Sequence, residues 1–309
     1  MTNKVSVNEK PLSDWNSTWV ELMGAEVKVY QGKGWFLRGI EMGDPSNEPL
    51  ILLHGIGGHG ETYARNIPNL SKHFHVFALD MLYHGYSQKE PFDGANVVDG
   101  YVDSLADFID TQGLKHPHIE GESLGSIVAF HLGLKYPGKA GSLILNTGAP
   151  VKFKDKPGIR ENPDGVKALA RTSLDAVNNP TPETIRKRLE WLMAKPDRVT
   201  DELVDIRLKL YQDPEVRKSM NNVYTNAFID QILFDKYWVA EEDCARLKDK
   251  SLVFWTEFNP GEGPDIGEKF HSLIPGSSYY CMEDAAHWPQ WEHPEEHDQV
   301  LIDFIGGKL

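Results

Sequence analysis

Basic residues are in deficit in this chain: 32 lysines and arginines face 46 aspartates and glutamates across 309 residues, a net charge of -14. A surface of that sign repels phosphate backbones and anionic lipid, which excludes nucleic acid and the membrane surface as main partners. Cysteine is nearly absent. Cys244 and Cys281 allow one intramolecular bridge at most, and so sparse a count fits a reducing compartment in which both stay thiols. No apolar run approaches the roughly 20 residues needed to span a bilayer. The first segment, MTNKVSVNEKPLSDWNSTWV, lacks the apolar core of a signal peptide, so a cytoplasmic protein is expected. Internal repeats and low-complexity segments are missing too.

What is present is an alternation. Leu50-Ile51-Leu52-Leu53 runs into His54-Gly55, His75 to Leu79 into Asp80, Pro117 to Glu120 into Gly121, and Ser142 to Leu145 into Asn146-Thr147-Gly148. Leu252 to Trp255 and Tyr279 to Met282 repeat the pattern much later. Short, mostly apolar runs that end in polar or glycine residues read as buried parallel strands. Stretches of helical length, at 61–71, 97–112 and 123–136, lie between them, which predicts a doubly wound, mostly parallel α/β sheet. The alternation breaks between 150 and 240, where the pattern is helical, charged and punctuated by Pro163, Pro180, Pro182, Pro196 and Pro214. That is too long for a plain connection. It divides the chain into a core of 1–149 and 241–309 and a helical lid of 150–240. A short helix is expected around Trp15, Trp19 and Leu22.

Gly121-Glu122-Ser123-Leu124-Gly125 fits the G-x-S-x-G pattern in which a serine sits on a sharp strand-to-helix turn. Glycines two residues either side let the strained turn close, and the hydroxyl is left at a helix N-terminus, where negative charge is favoured. An apolar strand before it and a helix-forming run after it favour a nucleophile over a structural turn serine. His54-Gly55-Ile56-Gly57-Gly58 ends another strand on the same sheet edge. Backbone N–H groups of Ile56 and Gly57, with that of Leu124, are candidates for an oxyanion hole. Of twelve histidines, His287 follows the last strand on the same edge and is the expected general base. His293 and His297, at and inside a following helix, read as surface residues.

With these motifs on the page, the sequence resembles the α/β-hydrolase superfamily, and within it the meta-cleavage-product hydrolases that break carbon–carbon bonds. The resemblance runs from about Trp35 to Phe304, through LLHGIGG, ALDMLYHGYS, GESLGS, LILNTGAP and AAHWPQWEHPEE. It implies the α/β-hydrolase fold with a helical lid, a carboxylate-bearing dienone as substrate, a homodimer, and no metal or organic cofactor. It also implies that Arg207 holds the substrate carboxylate and that Trp288 belongs to the substrate site. The residues speak for Arg207 independently: it falls inside the apolar stripe of Leu203, Ile206 and Leu210, and an inward guanidinium wants a buried anion. An internal ion pair is the competing reading.

Two positions depart from the family. Glu122 stands where a neutral residue is usual, next to the nucleophile, and opposes an anionic substrate unless it is protonated, paired or turned away. Asn259 stands where the triad aspartate is usual. It can orient an imidazole but cannot stabilise imidazolium by charge. Asn259 itself, an acid on the same loop (Glu257, Glu262 or Asp265), or a slow or non-catalytic site therefore all stay open. The expected activity is hydrolysis of a 2-hydroxy-6-oxo-2,4-dienoate from aromatic ring cleavage. A carboxylesterase or lactonase on the same fold, or a weakly catalytic binding module, are the rivals. Trp191, Met193, Tyr211 and Phe228 are candidate lining residues of the pocket, with ordinary core the favoured reading for each.

Overall fold

The computed structural model describes residues 5, 7, 10, 15–155 and 163–309. Eight strands form one sheet in the order β1-β2-β4-β3-β5-β6-β9-β10. They are β1 (Glu26–Gln31), β2 (Phe36–Met42), β3 (Pro49–Leu53), β4 (His75–Leu79), β5 (His118–Glu122), β6 (Ser142–Asn146), β9 (Ser251–Thr256) and β10 (Ser278–Met282). β2 pairs antiparallel with β1 and β4, and the other pairs are parallel. Strands β4, β6 and β9 are buried along their whole length, as their near-continuous apolar sequences require. The edge strand β1 alternates instead, with Val27 and Val29 in solvent.

Helices cover both faces. On one lie α3 (Val97–Thr111), α4 (Leu124–Lys135) and α10 (Pro264–Leu273); on the other α2 (Ile67–Leu70) and α12 (Pro294–Ile305). Residues 61–71 do not form the single helix their length suggests. A 3₁₀ turn at Gly60–Tyr63 precedes the four-residue α2, and Pro68 supplies no backbone donor to join the two. The short N-terminal helix α1 (Thr18–Glu21) includes Trp19, which is exposed, and is flanked by Trp15 and Leu22.

Between β6 and β9 the chain is helical: α5 (Pro163–Asn178), α6 (Pro182–Glu190), α7 (Asp201–Gln212), α8 (Pro214–Tyr224) and α9 (Ile232–Tyr237), with a π turn at Thr225–Ile229. The prolines start elements rather than break them, Pro182 and Pro214 standing at first helical positions where no N–H is needed. The two-residue strands β7 (Val151–Lys152) and β8 (Val239–Ala240) pair in parallel and bring the two ends of this insertion together. The short α11 (Pro289–Glu292) leads into α12. No helix among the described residues is long and apolar enough to cross a membrane.

One expectation fails here. His297 is fully buried, not on the surface. It stacks on Phe254 at 5.4 Å and lies 3.5 Å from Glu120 and 3.2 Å from Asp298, because α12 packs its histidine face onto the sheet. His293 is half-buried, with Nε2 3.1 Å from the Asp284 carbonyl.

Candidate active site

Ser123 sits between β5 and α4 with φ 55°, a left-handed conformation that L-residues hold only where their surroundings impose it. The surroundings here are close-packed. A Cβ on Gly121 would stand 2.2 Å from the Gly125 backbone, and one on Gly125 would stand 2.3 Å from the Leu53 carbonyl oxygen. Only glycines let β3, the turn and α4 approach so near. The Leu124 N–H opens α4 and has no carbonyl within the helix to receive it. Ser123 N–H donates to the Asn146 carbonyl at 2.8 Å, which fixes the turn to β6. Among the described residues no hydrogen bond joins the Ser123 hydroxyl to His287 Nε2; the two side chains line one cavity.

His287 lies on the loop from β10 to α11, and that loop is held firmly. Its N–H donates to the Leu192 carbonyl at 2.9 Å, and its carbonyl accepts from Thr147 Oγ1 at 3.1 Å. The buried Glu292 accepts from Ala286 N–H at 2.6 Å, Ala194 N–H at 2.8 Å and Arg198 Nη1 at 2.6 Å. Trp291 Nε1 donates to the Arg198 carbonyl. The segment following His287 thus fastens the histidine loop to the helical insertion. Trp288 is buried beside it and is not part of the cavity wall.

Asn259, on the loop after β9, accepts from His287 Nδ1 at 2.6 Å. An amide oxygen only accepts, so Nδ1 carries the proton and Nε2 presents its lone pair. Of the three acids on that loop, Glu257 takes the Asp284 N–H at 3.0 Å, Glu262 lines the cavity, and Asp265 opens α10. The imidazole is therefore oriented by asparagine. Burial, with the charge of Arg188 second, lowers the His287 pKa to about 3.

Glu122 is buried behind the serine. Its Oε2 accepts the Gly55 N–H at 2.6 Å, and its Oε1 lies 3.3 Å from His287 Nε2. Burial, then the charge of Glu120, pushes the carboxyl well above the ordinary range. A neutral acid beside a lone-pair nitrogen is the compatible pairing. The Gly57 turn has φ 75°, and a Cβ there would meet the Tyr224 hydroxyl at 1.9 Å. Tyr211 and Tyr224 hydroxyls lie 3.2 Å apart over it.

One cavity of about 720 Å³, its open mouth included, brings together Ser123, His287, Asn259, Ile56 and Leu124. Its wall is completed by Thr147, Leu169, Arg188, Trp191, Phe228 and Phe234 among others. Trp191 and Phe228 line it, where ordinary core was the favoured reading, while Met193 and Tyr211 are buried outside the wall.

Arg207 is buried on α7, with no partner for Nε or Nη2 among the described residues, but it is not part of that wall. Its guanidinium carbon is 5.8 Å from the Tyr211 ring centroid, and its charge reaches His54, His84, Tyr224 and Glu122. The guanidinium in the wall is that of Arg188, which sequence reasoning missed. The same signal that marked Arg207 was available, since Arg188 falls within the stripe of Ile185, Leu189 and Leu192.

Residues 48–294 match the family described as alpha/beta hydrolase fold, and the chain belongs to that family. It is 27% identical over 266 residues to a 2-hydroxy-6-oxononadienedioate/2-hydroxy-6-oxononatrienedioate hydrolase of Paraburkholderia phymatum, covering 84% of this chain and 87% of the relative. It is also 27% identical over 273 residues to a 2-hydroxy-6-oxo-6-phenylhexa-2,4-dienoate hydrolase of Burkholderia cepacia, with the same coverage. Among solved structures, the 2-hydroxy-6-oxo-6-phenylhexa-2,4-dienoate hydrolase of Rhodococcus sp. strain RHA1 superposes with a TM-score of 0.76 at 20% identity, over 91% of this chain and 99% of that one. At that identity the superposition speaks for the fold.

Proposed function

We propose that this chain is a serine-dependent hydrolase that cleaves the carbon–carbon bond of a 2-hydroxy-6-oxo-2,4-dienoate, the type of product formed when a catechol ring is opened beside its hydroxyls. The observation that carries the reading is Ser123, His287 and Asn259 in the wall of a single apolar cavity, next to buried guanidinium groups with unused donors. The names of the relatives support the substrate type.

Arg207 offers Nε and Nη2 to the substrate carboxylate. The dienol ketonises, which moves a proton to C5 and makes the later leaving carbanion a stabilised one. His287 Nε2 takes the proton of Ser123, and Oγ bonds to the C6 carbonyl carbon. Leu124 and Ile56 N–H groups, with Gly57 in the same turn, hold the oxyanion. As the carbonyl re-forms, the C5–C6 bond breaks and its electron pair leaves as the dienolate, which takes the imidazolium proton. Water, deprotonated by His287, then releases the acid from Ser123. The substrate's own conjugation is the electron sink, so the scheme calls for no cofactor. Glu122, held neutral, does not repel an anionic substrate. Trp288 packs beneath the histidine loop and shapes the site from behind.

The helices of 150–240 act in this reading as a lid over the core of 1–149 and 241–309; Leu169, Arg188, Trp191 and Phe228 in the cavity wall support it. The free thiols of Cys244 and Cys281 support a cytoplasmic setting, and the homodimer rests on resemblance alone. The test is to add a yellow ring-fission product and follow its absorbance. Bleaching that Ser123→Ala abolishes is expected. Unchanged colour alongside rapid ester turnover would replace the reading with a carboxylesterase.

A further inference from the structure

Arg188 is an unneutralised cation in an apolar wall. Its Nε donates to Ser173 Oγ at 2.9 Å, and its Nη1 is buried with no partner among the described residues. No carboxylate among the described residues forms an ion pair with it. Trp191 lies under the guanidinium at 5.4 Å, and the neighbouring wall is Leu169, Ile127 and Phe228. A guanidinium cannot shed its proton, so burying one without a counter-charge is costly unless a ligand supplies that charge.

Arg207 repeats the situation a short way off. It too is buried with free donors, and it too lacks a carboxylate partner among the described residues. Arg188 stands in the wall of the Ser123 cavity, whereas Arg207 lies outside that wall against Tyr211, near enough for the two charges to act on each other. His54 and His84 are kept neutral by burial and add no compensating charge. Glu122, nearest in kind, forms no ion pair with either, and burial, then the charge of Glu120, disfavours its charged form. The site thus has one positive charge in its wall and a second close by, neither of them paired with a carboxylate among the described residues.

We propose that Arg188 is a second carboxylate-recognition residue, separate from Arg207, and that together they select a substrate bearing a carboxylate at each end. The inference rests on the hydrolase reading for the identity of the substrate, but the recognition itself does not need turnover. Planar, forked donors suit a carboxylate, and Ser173 holds the guanidinium by its Nε, which leaves the Nη groups for a ligand. The distal carboxylate would sit on the acyl side of the scissile bond, leaving with the acid that Ser123 releases.

Two measurements test this. In the first, kcat/KM is determined for wild type, Arg188→Gln and Arg188→Lys on a pair of ring-fission products, one ending in a carboxylate and one in a phenyl group. The expected result is a roughly 30-fold or larger fall in the dicarboxylate-to-phenyl ratio in Arg188→Gln, carried mainly by KM, with partial recovery in Arg188→Lys. An unmoved ratio overturns the proposal, and it would do so even if both products are cleaved. In the second, quenching of tryptophan fluorescence by adipate and by hexanoate is followed in Ser123→Ala. Saturable binding of adipate that is at least tenfold tighter than hexanoate and lost in the added Arg188→Gln is expected. Equal binding of the two acids overturns it. If neither ring-fission product is cleaved but adipate binding depends on Arg188, the hydrolase reading fails and the anion site stands. Should Arg188→Gln not fold, Arg188→Lys and Arg188→Met carry both measurements.

Discussion

Replacing Asn259 with aspartate tests how the imidazole is served. Asn259 Oδ1 lies 2.6 Å from His287 Nδ1, so the substitution changes charge with almost no change in shape. A unit charge about 4 Å from the centre of the imidazolium is worth roughly 4 kcal/mol at an effective dielectric near 20, or about 3 pK units. The new carboxylate is itself buried and stands near Glu262, and this opposes part of the gain. If about half survives, the His287 pKa rises from about 3 to ~5 and the imidazolium formed during serine attack gains about 2 kcal/mol, or roughly 30-fold in rate. The sign follows from the base: His287 works when neutral, so the acid limb of kcat/KM lies below pH 4 in wild type and moves up in the variant. Stopped-flow single turnovers from pH 4 to 9 read both effects. An acylation rate that stays the same or falls, with an acid limb that does not move, would refute the reasoning, because imidazolium formation would then not contribute to the slow step.

Glu122→Gln keeps an acceptor for the Gly55 N–H but removes the titrating acid. Wild type should lose affinity for an anionic substrate as pH rises and Glu122 ionises, whereas KM in the variant should be flat over the same alkaline range; parallel profiles would count against a neutral Glu122. Gly57→Ala places a methyl 1.9 Å from the Tyr224 hydroxyl at a φ of 75°, so a loss of about 2 kcal/mol or more is expected and a falling Tm reads it. For His297, burial works to lower the pKa, but Asp298 and Glu120 outweigh it and push it up to about 9. A folded-state pKa raised above the ordinary 6.5 gives stability that is whole below pH 6.5 and is lost as pH climbs through 9. Urea titrations should show roughly 3 kcal/mol of that decline, and His297→Gln should flatten it.

The sheet was legible because its strands are buried on both faces and therefore read as unbroken apolar runs, of which His75 to Leu79 is the plainest. The elbow was legible because close packing leaves glycine no substitute at 121 and 125. Where the reading failed, the missing information was three-dimensional. Nothing in the spacing of His293 and His297 says that α12 turns its histidine face toward Glu120, far earlier in the chain. The break at 61–71 needed knowledge that the turn after β3 is fixed by its own contacts, including Gly60 N–H to Asp80 at 2.7 Å.

The two arginines show the same limit at the site. Both lie inside apolar stripes, so sequence periodicity points both inward and does not say what each meets there. Family resemblance singled out Arg207, and the fold does bury it with unused donors. Which guanidinium faces the serine is decided by how α6 and α7 pack over the sheet, and that packing puts Arg188 in the wall beside His287. The consequence reaches the base itself. The Arg188 charge, after burial, is what holds His287 low, so an anion that pairs with Arg188 relieves that depression. In the proposed complex, then, the part of that depression due to charge is lifted, while burial, the larger cause, stays. A chain whose orienting residue is an amide, with no charge of its own to offer the imidazolium, gains most from such help.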